Sequence, residues 1–255
     1  MDTSDRRNTV HPTAILDGNI QMGEGNTIGP HVVLSGDITL GNHNTIEAGV
    51  IIQNNVTIGN DNYFYPYASI GALGEMGLKG DSFNEEGRVV IGNHVTVREF
   101  VCIHSPVYRM ETQIDDRVYL MNKCYVAHDC HIGKGTVISA GVLLAGRVVI
   151  GQYANLGLGS TVHQRLHIGS YTMVGMQSVV TRDVLPYCTV AGNPARILGF
   201  NHKGAERCQA EPKWLAEMQT FFQEGIQQDW DSVNPIKKEV YAFLMKHPEA
   251  LVKVK

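Results

Sequence analysis

The stretch Ile114-Asp-Asp-Arg-Val-Tyr-Leu120-Met-Asn-Lys-Cys-Tyr-Val126-Ala-His-Asp-Cys-His-Ile132-Gly-Lys-Gly-Thr-Val-Ile138-Ser-Ala-Gly-Val-Leu-Leu144 puts an apolar residue at every sixth position. The series continues unbroken through Ile150, Leu156, Val162, Ile168, Val174 and Val180. A helix repeats at about 3.6 residues and a strand at about 2, so neither explains a step of six. A fixed short period marks a solenoid, whose turns bury their apolar faces only by stacking on one another. Upstream, Leu16, Met22, Ile28, Leu34, Leu40, Ile46, Ile52, Ile58, Phe64 and Ile70 keep the same step.

Two residues before each of these positions the side chain is usually small or β-branched, as at Val50, Ala68, Thr136, Val142, Ala154 and Ser160. Two inward side chains per six residues, and three such units per coil, describe a triangular prism. With strands stacked ~4.8 Å apart, roughly ten coils would span on the order of 50 Å. Glycine often follows the apolar position (Gly23, Gly29, Gly41, Gly59, Gly71), where a turn at positive φ is expected. Two breaks interrupt the count. Ala72 to Arg88 separates Ile70 from Ile91, and Ser105 to Gln113 separates Ile103 from Ile114. Loops that leave a rigid solenoid on one side tend to build sites.

The 255 residues carry a formal charge of −4 and a pI near 6.2, which leaves no basic footprint for nucleic acid. Cys102, Cys124, Cys130, Cys188 and Cys208 form no CxxC pair, and Cys124 and Cys130 fall on inward positions. Buried free thiols are the expectation, in a reducing compartment. Met1 to Val10 is too polar for a signal peptide, and no apolar run approaches the ~20 residues of a membrane span. A cytoplasmic protein is expected. After Val190-Ala-Gly-Asn-Pro-Ala-Arg-Ile197 the period stops. Pro212 to Ile226 reads as an amphipathic helix with a Trp214, Leu215, Met218, Phe221 and Phe222 stripe. A second helix spans Pro235 to Lys246, with Val240, Phe243 and Leu244 on one face. Both stripes suit core or subunit packing, and the helices would cover the open end of the prism.

The repeated [LIV]-G-x-x-x-x pattern over about residues 11 to 199 resembles the hexapeptide-repeat family. That resemblance implies an all-β solenoid, a left-handed parallel β-helix, here over residues 1–199 with a C-terminal helical region at 200–255. The hand comes from the resemblance, since the general rule for parallel crossovers favours the right.

One coil is 18 residues, so positions 18 apart should stack. That puts His128 beneath Gly146 and Gly146 beneath Gln164, with Ala127, Ala145 and His163 in the next ladder. His128 lies two residues past inward Val126, so its ring should face out into a groove, as a general base at neutral pH requires. Asp129 is the adjacent carboxylate that can fix the tautomer. The main-chain N–H of Gly146 is placed to receive developing negative charge, a role worth ~3 kcal/mol in the transition state. Base and oxyanion donor together suit acyl transfer from a thioester to a hydroxyl or an amine.

Val126-Ala-His-Asp-Cys130, Leu144-Ala-Gly146, Val162-His-Gln164, Gly192-Asn-Pro and Arg98-Glu-Phe-Val-Cys-Ile-His104 resemble the UDP-N-acetylglucosamine O-acyltransferase family of lipid A synthesis. The resemblance implies transfer of a fatty acyl chain from acyl carrier protein to the sugar 3-hydroxyl. His128 would be the base, Asp129 its orienting partner and Gly146 the oxyanion donor. His104, His163 and Gln164 would line the site, and Asn201 would touch the nucleotide sugar. It also implies a homotrimer with the site between subunits, and no cofactor or metal beyond the thioester co-substrate. Met176 falls where family members meet the end of the acyl chain, so a shorter chain is expected.

The chain departs from that pattern at four places. Tyr125 and Arg147 stand where histidines are expected. Met76-Gly-Leu-Lys79 keeps the lysine of a Gln-Asp-Leu-Lys loop and loses its aspartate. The basic run after Asn201 is reduced to Lys203 and Arg207. All four touch acceptor or diphosphate binding, so Lys79, Tyr125, Arg147 and Arg207 join the candidate binding residues. Acylation of another sugar nucleotide, on nitrogen or oxygen and from coenzyme A, is the alternative. A zinc site of the hexapeptide anhydrase type fails because Lys123, five residues before His128, cannot ligate while charged. A non-catalytic assembly scaffold is the remaining reading.

Overall fold

The computed structural model describes residues 7–75, 84, 86–224 and 232–250. The chain winds as a parallel β-solenoid of short strands, most of them two residues long. Three ladders account for its faces. Leu120, Ile138, Leu156 and Val174 pair in succession on one. Val126, Leu144, Val162 and Val180 do so on the next, and Ile114, Ile132, Ile150 and Ile168 on the third. All twelve of these side chains are buried. Main-chain bonds join the coils; the Tyr125 N–H, for instance, donates to Val142 at 2.9 Å.

The corners differ from the expectation drawn from glycine. Gly23, Gly29, Gly41 and Gly59 do not turn at positive φ; of that set only Gly71 does, at +80°. The left-handed residue sits two positions later and is more often something other than glycine: His31, Asp61, Lys123, Asp129, Arg147 and Gln177 all have φ between 56° and 65°. Glycine after the apolar position answers instead to close approach. A Cβ on Gly41 would lie 2.6 Å from the Gly59 carbonyl oxygen of the next coil. The spacing therefore selects glycine for contact between coils and leaves the strained corner mainly to polar and aromatic residues.

The first coils have a polar thread in their core. Asn26, Asn44 and Asn62 are all but fully buried on inward positions. Each later amide donates to the Oδ1 before it, from both main chain and side chain, at 2.9–3.0 Å. The ladder satisfies itself, so these polar groups carry no unpaired atoms. Along the same coils the strands Ile15–Met22, Val33–Leu40 and Ile51–Ile58 run through a corner without a break. This fuses two faces into one 14-stranded sheet beside an 11-stranded one.

Both breaks in the period become excursions at one edge. Ile58 pairs with Ile91, well beyond the reach of one regular coil. Ile91 pairs in turn with Ile114, again further along the chain than a regular coil allows. Coils on either side of both breaks resume register.

At the C-terminal end Cys188–Ala191 pairs antiparallel with Arg196–Phe200, which ends the parallel winding. Among the described residues three helices follow: α1 (His202–Glu206), α2 (Pro212–Glu224) and α3 (Pro235–Lys246). The first has no counterpart among the sequence expectations. The second is described through Glu224, and Ile226, where its sequence expectation ends, lies outside the described residues. In α2, Met218, Phe221 and Phe222 are buried, with Phe222 stacked 5.8 Å from Phe200. Asn234 caps α3 by accepting the Ile236 N–H at 3.0 Å. Cys124, Cys130 and Cys188 are buried free thiols. Among the described residues, no helix is long and apolar enough to cross a membrane.

Candidate active site

The corner after Tyr125–Val126 presents His128 and Asp129. Asp129 takes the left-handed conformation, φ +62°, that aspartate tolerates better than most residues. This folds its carboxylate back toward its neighbour, and His128 Nδ1 lies 2.7 Å from Asp129 Oδ2. The imidazole is 15% exposed and the carboxylate fully buried. Burying a lone carboxylate would be costly. Here the second inserted loop surrounds it: the main-chain N–H groups of Val107, Tyr108 and Arg109 all donate to it, the last at 2.7 Å. Thr112 Oγ1 accepts the Asp129 N–H at 2.8 Å. The surplus residues between Ile103 and Ile114 thus form a socket for Asp129.

One coil on, Gly146 lies against the ring. A Cβ there would fall 2.5 Å from His128 Nε2 and Cε1. Any side chain would displace the imidazole. Main-chain bonds lock the two coils together on either side of this glycine. Arg147 N–H donates to the His128 carbonyl at 3.0 Å and Ala127 N–H to the Leu144 carbonyl at 3.1 Å. Among the described residues no acceptor engages the Gly146 N–H itself.

The first inserted loop closes the other flank. Gly74 packs so tightly that a Cβ would meet His128 Cβ at 2.7 Å. Glu75 bonds the Tyr125 hydroxyl and lies 3.1 Å from His104 Nδ1. The His104 and Tyr125 rings meet edge to face, 5.2 Å apart. Partial burial pushes the Glu75 carboxyl up, but the Tyr125 bond and the His104 ring outweigh it and hold it below its usual range. Burial first, and then the bond to Glu75, raise the Tyr125 phenol far above its ordinary value. Tyr108 covers His128 from the second loop, ring centroids 5.7 Å apart. The Arg147 guanidinium rests 4.0 Å above the same tyrosine. The result is a groove with a mostly covered imidazole at its floor, an anion on one wall and a cation on the other.

His104, Tyr125, His128, Asp129, Gly146 and Arg147 thus come together. Exposed His163 and Gln164 continue the same corner one coil beyond Gly146. Three candidates do not join them within one chain. Met176, 66% exposed, stands on the preceding corner several coils away. Asn201 spends its amide as the cap of α1, accepting from Gly204 at 3.2 Å and donating to the Tyr171 carbonyl at 2.7 Å. Arg207 is the exposed C-cap of α1. Lys79 lies outside the described residues. Gly74, Glu75, Tyr108 and Arg109 are site residues that no motif in the sequence marks. Their only signal is membership of the two segments that break the six-residue count.

The family described as "Bacterial transferase hexapeptide (six repeats)" matches residues 111–146, the coils that carry His128 and Gly146. An acyl-[acyl-carrier-protein]--UDP-N-acetylglucosamine O-acyltransferase from Burkholderia orbicola is 44% identical over 201 residues, 78% of this chain and 75% of that protein. Its namesake from Campylobacter concisus is 37% identical over a shorter 121 residues, which is 47% of this chain and 46% of that one. The solved UDP-N-acetylglucosamine acyltransferase from Campylobacter jejuni superposes with a TM-score of 0.89 at 25% identity, covering 97% of this chain and all of that one.

Proposed function

From the premise that the chain belongs to the acyl-[acyl-carrier-protein]--UDP-N-acetylglucosamine O-acyltransferase family, we propose that it moves a fatty acyl chain from an acyl-carrier-protein thioester to the sugar 3-hydroxyl of UDP-N-acetylglucosamine, a step of lipid A synthesis. The observation that carries this reading is the contact of Gly146 with the His128 ring, which permits no side chain between them.

With Nδ1 bonded to the buried Asp129 carboxylate, the ring proton is held on Nδ1 and Nε2 is the basic nitrogen. Nε2 takes the proton of the acceptor hydroxyl as its oxygen attacks the thioester carbonyl carbon. The negative charge that develops on the carbonyl oxygen is met by the Gly146 N–H. Collapse of the tetrahedral intermediate breaks the carbon–sulfur bond, and the departing thiolate recovers the proton from His128. The thioester supplies the activation, so the reaction calls for no cofactor. His104, Tyr125, Arg147, His163 and Gln164 would position the acceptor, with the Arg147 cation suited to its diphosphate.

The active assembly is a homotrimer in this reading. Its support is an apolar edge next to the catalytic one. Tyr67 and Phe100 stack there 5.6 Å apart, though each is more than half exposed. Beyond the exposed Asn122 and Lys123, Leu158 and Met176 stand on the same corner, 46% and 66% exposed. A neighbour's edge of this kind would complete the groove and bring Met176, Asn201 and Arg207 toward substrate, with Met176 limiting chain length. The cytoplasm, where acyl carrier protein is found, is the compartment this implies.

A second reading, acylation of an amine on a related sugar nucleotide, is favoured by Glu75. Its carboxylate beside His104 would draw an ammonium acceptor into the groove. The deciding experiment sets acyl-carrier-protein and coenzyme A thioesters of several chain lengths against UDP-N-acetylglucosamine and its 3-amino analogue, reading released thiol. Turnover of the hydroxyl acceptor with the carrier-protein thioester is expected. Turnover of the amine alone would overturn the first reading, and none with any pair would leave the scaffold.

A further inference from the structure

Three side chains that this chemistry does not use converge where α3 docks on the last coils. His167 comes from the strand His167–Ile168, Asp183 from the segment after Val179–Val180, and His247 is the C-cap of α3. One ligand-capable atom from each lies within 4.8 Å of the other two. His247 Nδ1 is 3.0 Å from Asp183 Oδ2, and His167 Nδ1 is 3.7 Å from Asp183 Oδ1. In a tetrahedral zinc site with bonds of about 2.0–2.2 Å, neighbouring ligand atoms stand about 3.3–3.6 Å apart. The two observed spacings, one to each oxygen of the Asp183 carboxylate, lie on either side of that range. We propose that His167, Asp183 and His247 form a divalent-metal site, suited to zinc, that pins α3 to the β-helix.

The ring nitrogen of His167 is the strongest argument. His167 Nδ1 is buried and has no hydrogen-bond partner. Buried polar atoms are seldom left so, and each one invites an explanation. A bound cation would be its partner. Asp183 is already oriented to ligate. Its Oδ1 accepts the His167 main-chain N–H at 2.7 Å, which turns Oδ2 toward His247. Such outer bonds to a ligating carboxylate are the usual support of a metal site. The two imidazoles lie side by side, centroids 4.1 Å apart and tilted by 41°, an arrangement that two rings sharing one ion can hold.

His247 sits at the C-terminal end of a 12-residue helix, where the helix dipole favours a cation. A pocket of about 280 Å³, bordered by His167, His247, Glu239 and Lys246, opens beside the three groups and leaves room for a water as fourth ligand. The helix that presents His247 lies far along the chain from both solenoid residues, so the ion would act as a clamp between solenoid and helix.

The test uses the full chain, freed of metal by dialysis against a chelator and titrated with zinc. Expected are one zinc per chain by elemental analysis and a rise in Tm of about 5–10 °C at a hundredfold excess over Kd. His167→Gln gives up the 3.7 Å ion pair to Asp183 as well as a ligand atom, so it is compared with its own metal-free Tm, and it should abolish both the binding and the shift. His128→Ala should abolish neither. The cobalt form of the unaltered protein gives an independent reading, with the intense visible bands of a tetrahedral site expected. Zinc binding that survives His167→Gln, zinc binding lost in His128→Ala, no Tm shift in the parent, or a cobalt spectrum without those bands would each overturn the proposal.

Discussion

Asp129 and Asp183 stand on one edge of the prism, three coils apart along the ladder Val126, Leu144, Val162, Val180. Each carboxylate accepts from the main chain, Asp129 from three N–H groups and Asp183 from that of His167, and each faces a histidine. They differ in what surrounds them. Asp129 is fully buried, paired with its sequence neighbour and held by a loop wrapped around its carboxylate. Asp183 keeps 19% of its side chain exposed and meets histidines from another strand and from a helix cap. A solenoid can produce the first kind of site from its own register. The second needs a part of the chain that the register does not govern. Chemistry that must be exact within a fraction of an ångström is expected at the first, and attachment at the second.

Substitutions that separate the two sites test the comparison most strongly. His128→Ala removes the ring proposed to take the acceptor proton. A positioned general base contributes ~10²–10⁴-fold. Loss of kcat by about 10³-fold is therefore expected, with Tm close to the parent because the ring is partly exposed. Asp183→Asn on the same edge should leave kcat within about twofold. Equal losses from the two would break the distinction between them. Gly146→Ala comes next. The added methyl would meet His128 Nε2 at 2.5 Å, so ring and oxyanion donor cannot keep their places. A loss of about 10²-fold in kcat is expected, comparable to removal of one oxyanion donor. Pre-steady-state measurement of thiol release reads it directly, and unchanged release would remove Gly146 from the mechanism.

How much of this is legible without coordinates follows from the same contrast. The six-residue count puts Leu120 over Ile138 and His128 under Gly146, because a close-packed triangular coil tolerates no slippage. It cannot say what Gly74 and Glu75 touch, since an excursion leaves the lattice and obeys no period. The socket for Asp129 is invisible for that reason, although the surplus residues that build it can be counted. The glycines mislead for a physical reason. Gly41 and Gly59 look like turn formers, and they are points where coils nearly touch. The asparagines at inward positions, Asn26, Asn44 and Asn62, belong to a different gap. A polar residue once per coil becomes intelligible only when each is seen bonded to the last.

Met176 sharpens the comparison by asking whether a residue far from His128 in its own chain acts there in the assembly. Met176→Gly opens space at an exposed position, so a single chain gains nothing from it. In a trimer whose neighbour's edge lines the acyl groove, the preferred donor should lengthen by several carbons. The preference should shift by about tenfold, since one methylene in an apolar pocket is worth ~10–200-fold. Competition between thioesters of different length measures it. An unchanged preference would detach this edge from the acyl groove.

The smallest effect concerns the socket. Thr112 is fully buried, and its hydroxyl oxygen accepts the Asp129 N–H at 2.8 Å. Thr112→Val keeps the shape and removes the acceptor, leaving that N–H without a partner in the core. A buried donor left unsatisfied costs ~1–3 kcal/mol, and the relief available at a corner puts the expected loss at the low end, about 1 kcal/mol in denaturant unfolding. The three N–H groups of Val107, Tyr108 and Arg109 still hold the carboxylate, so His128 should keep its orientation and kcat should fall by less than about threefold. A large kinetic loss with little loss of stability would mean that the left-handed turn at Asp129, rather than the loop around its carboxylate, sets the angle of the ring. The socket would then be scaffolding of the same kind as the cluster at Asp183, and the two aspartates would differ in depth alone.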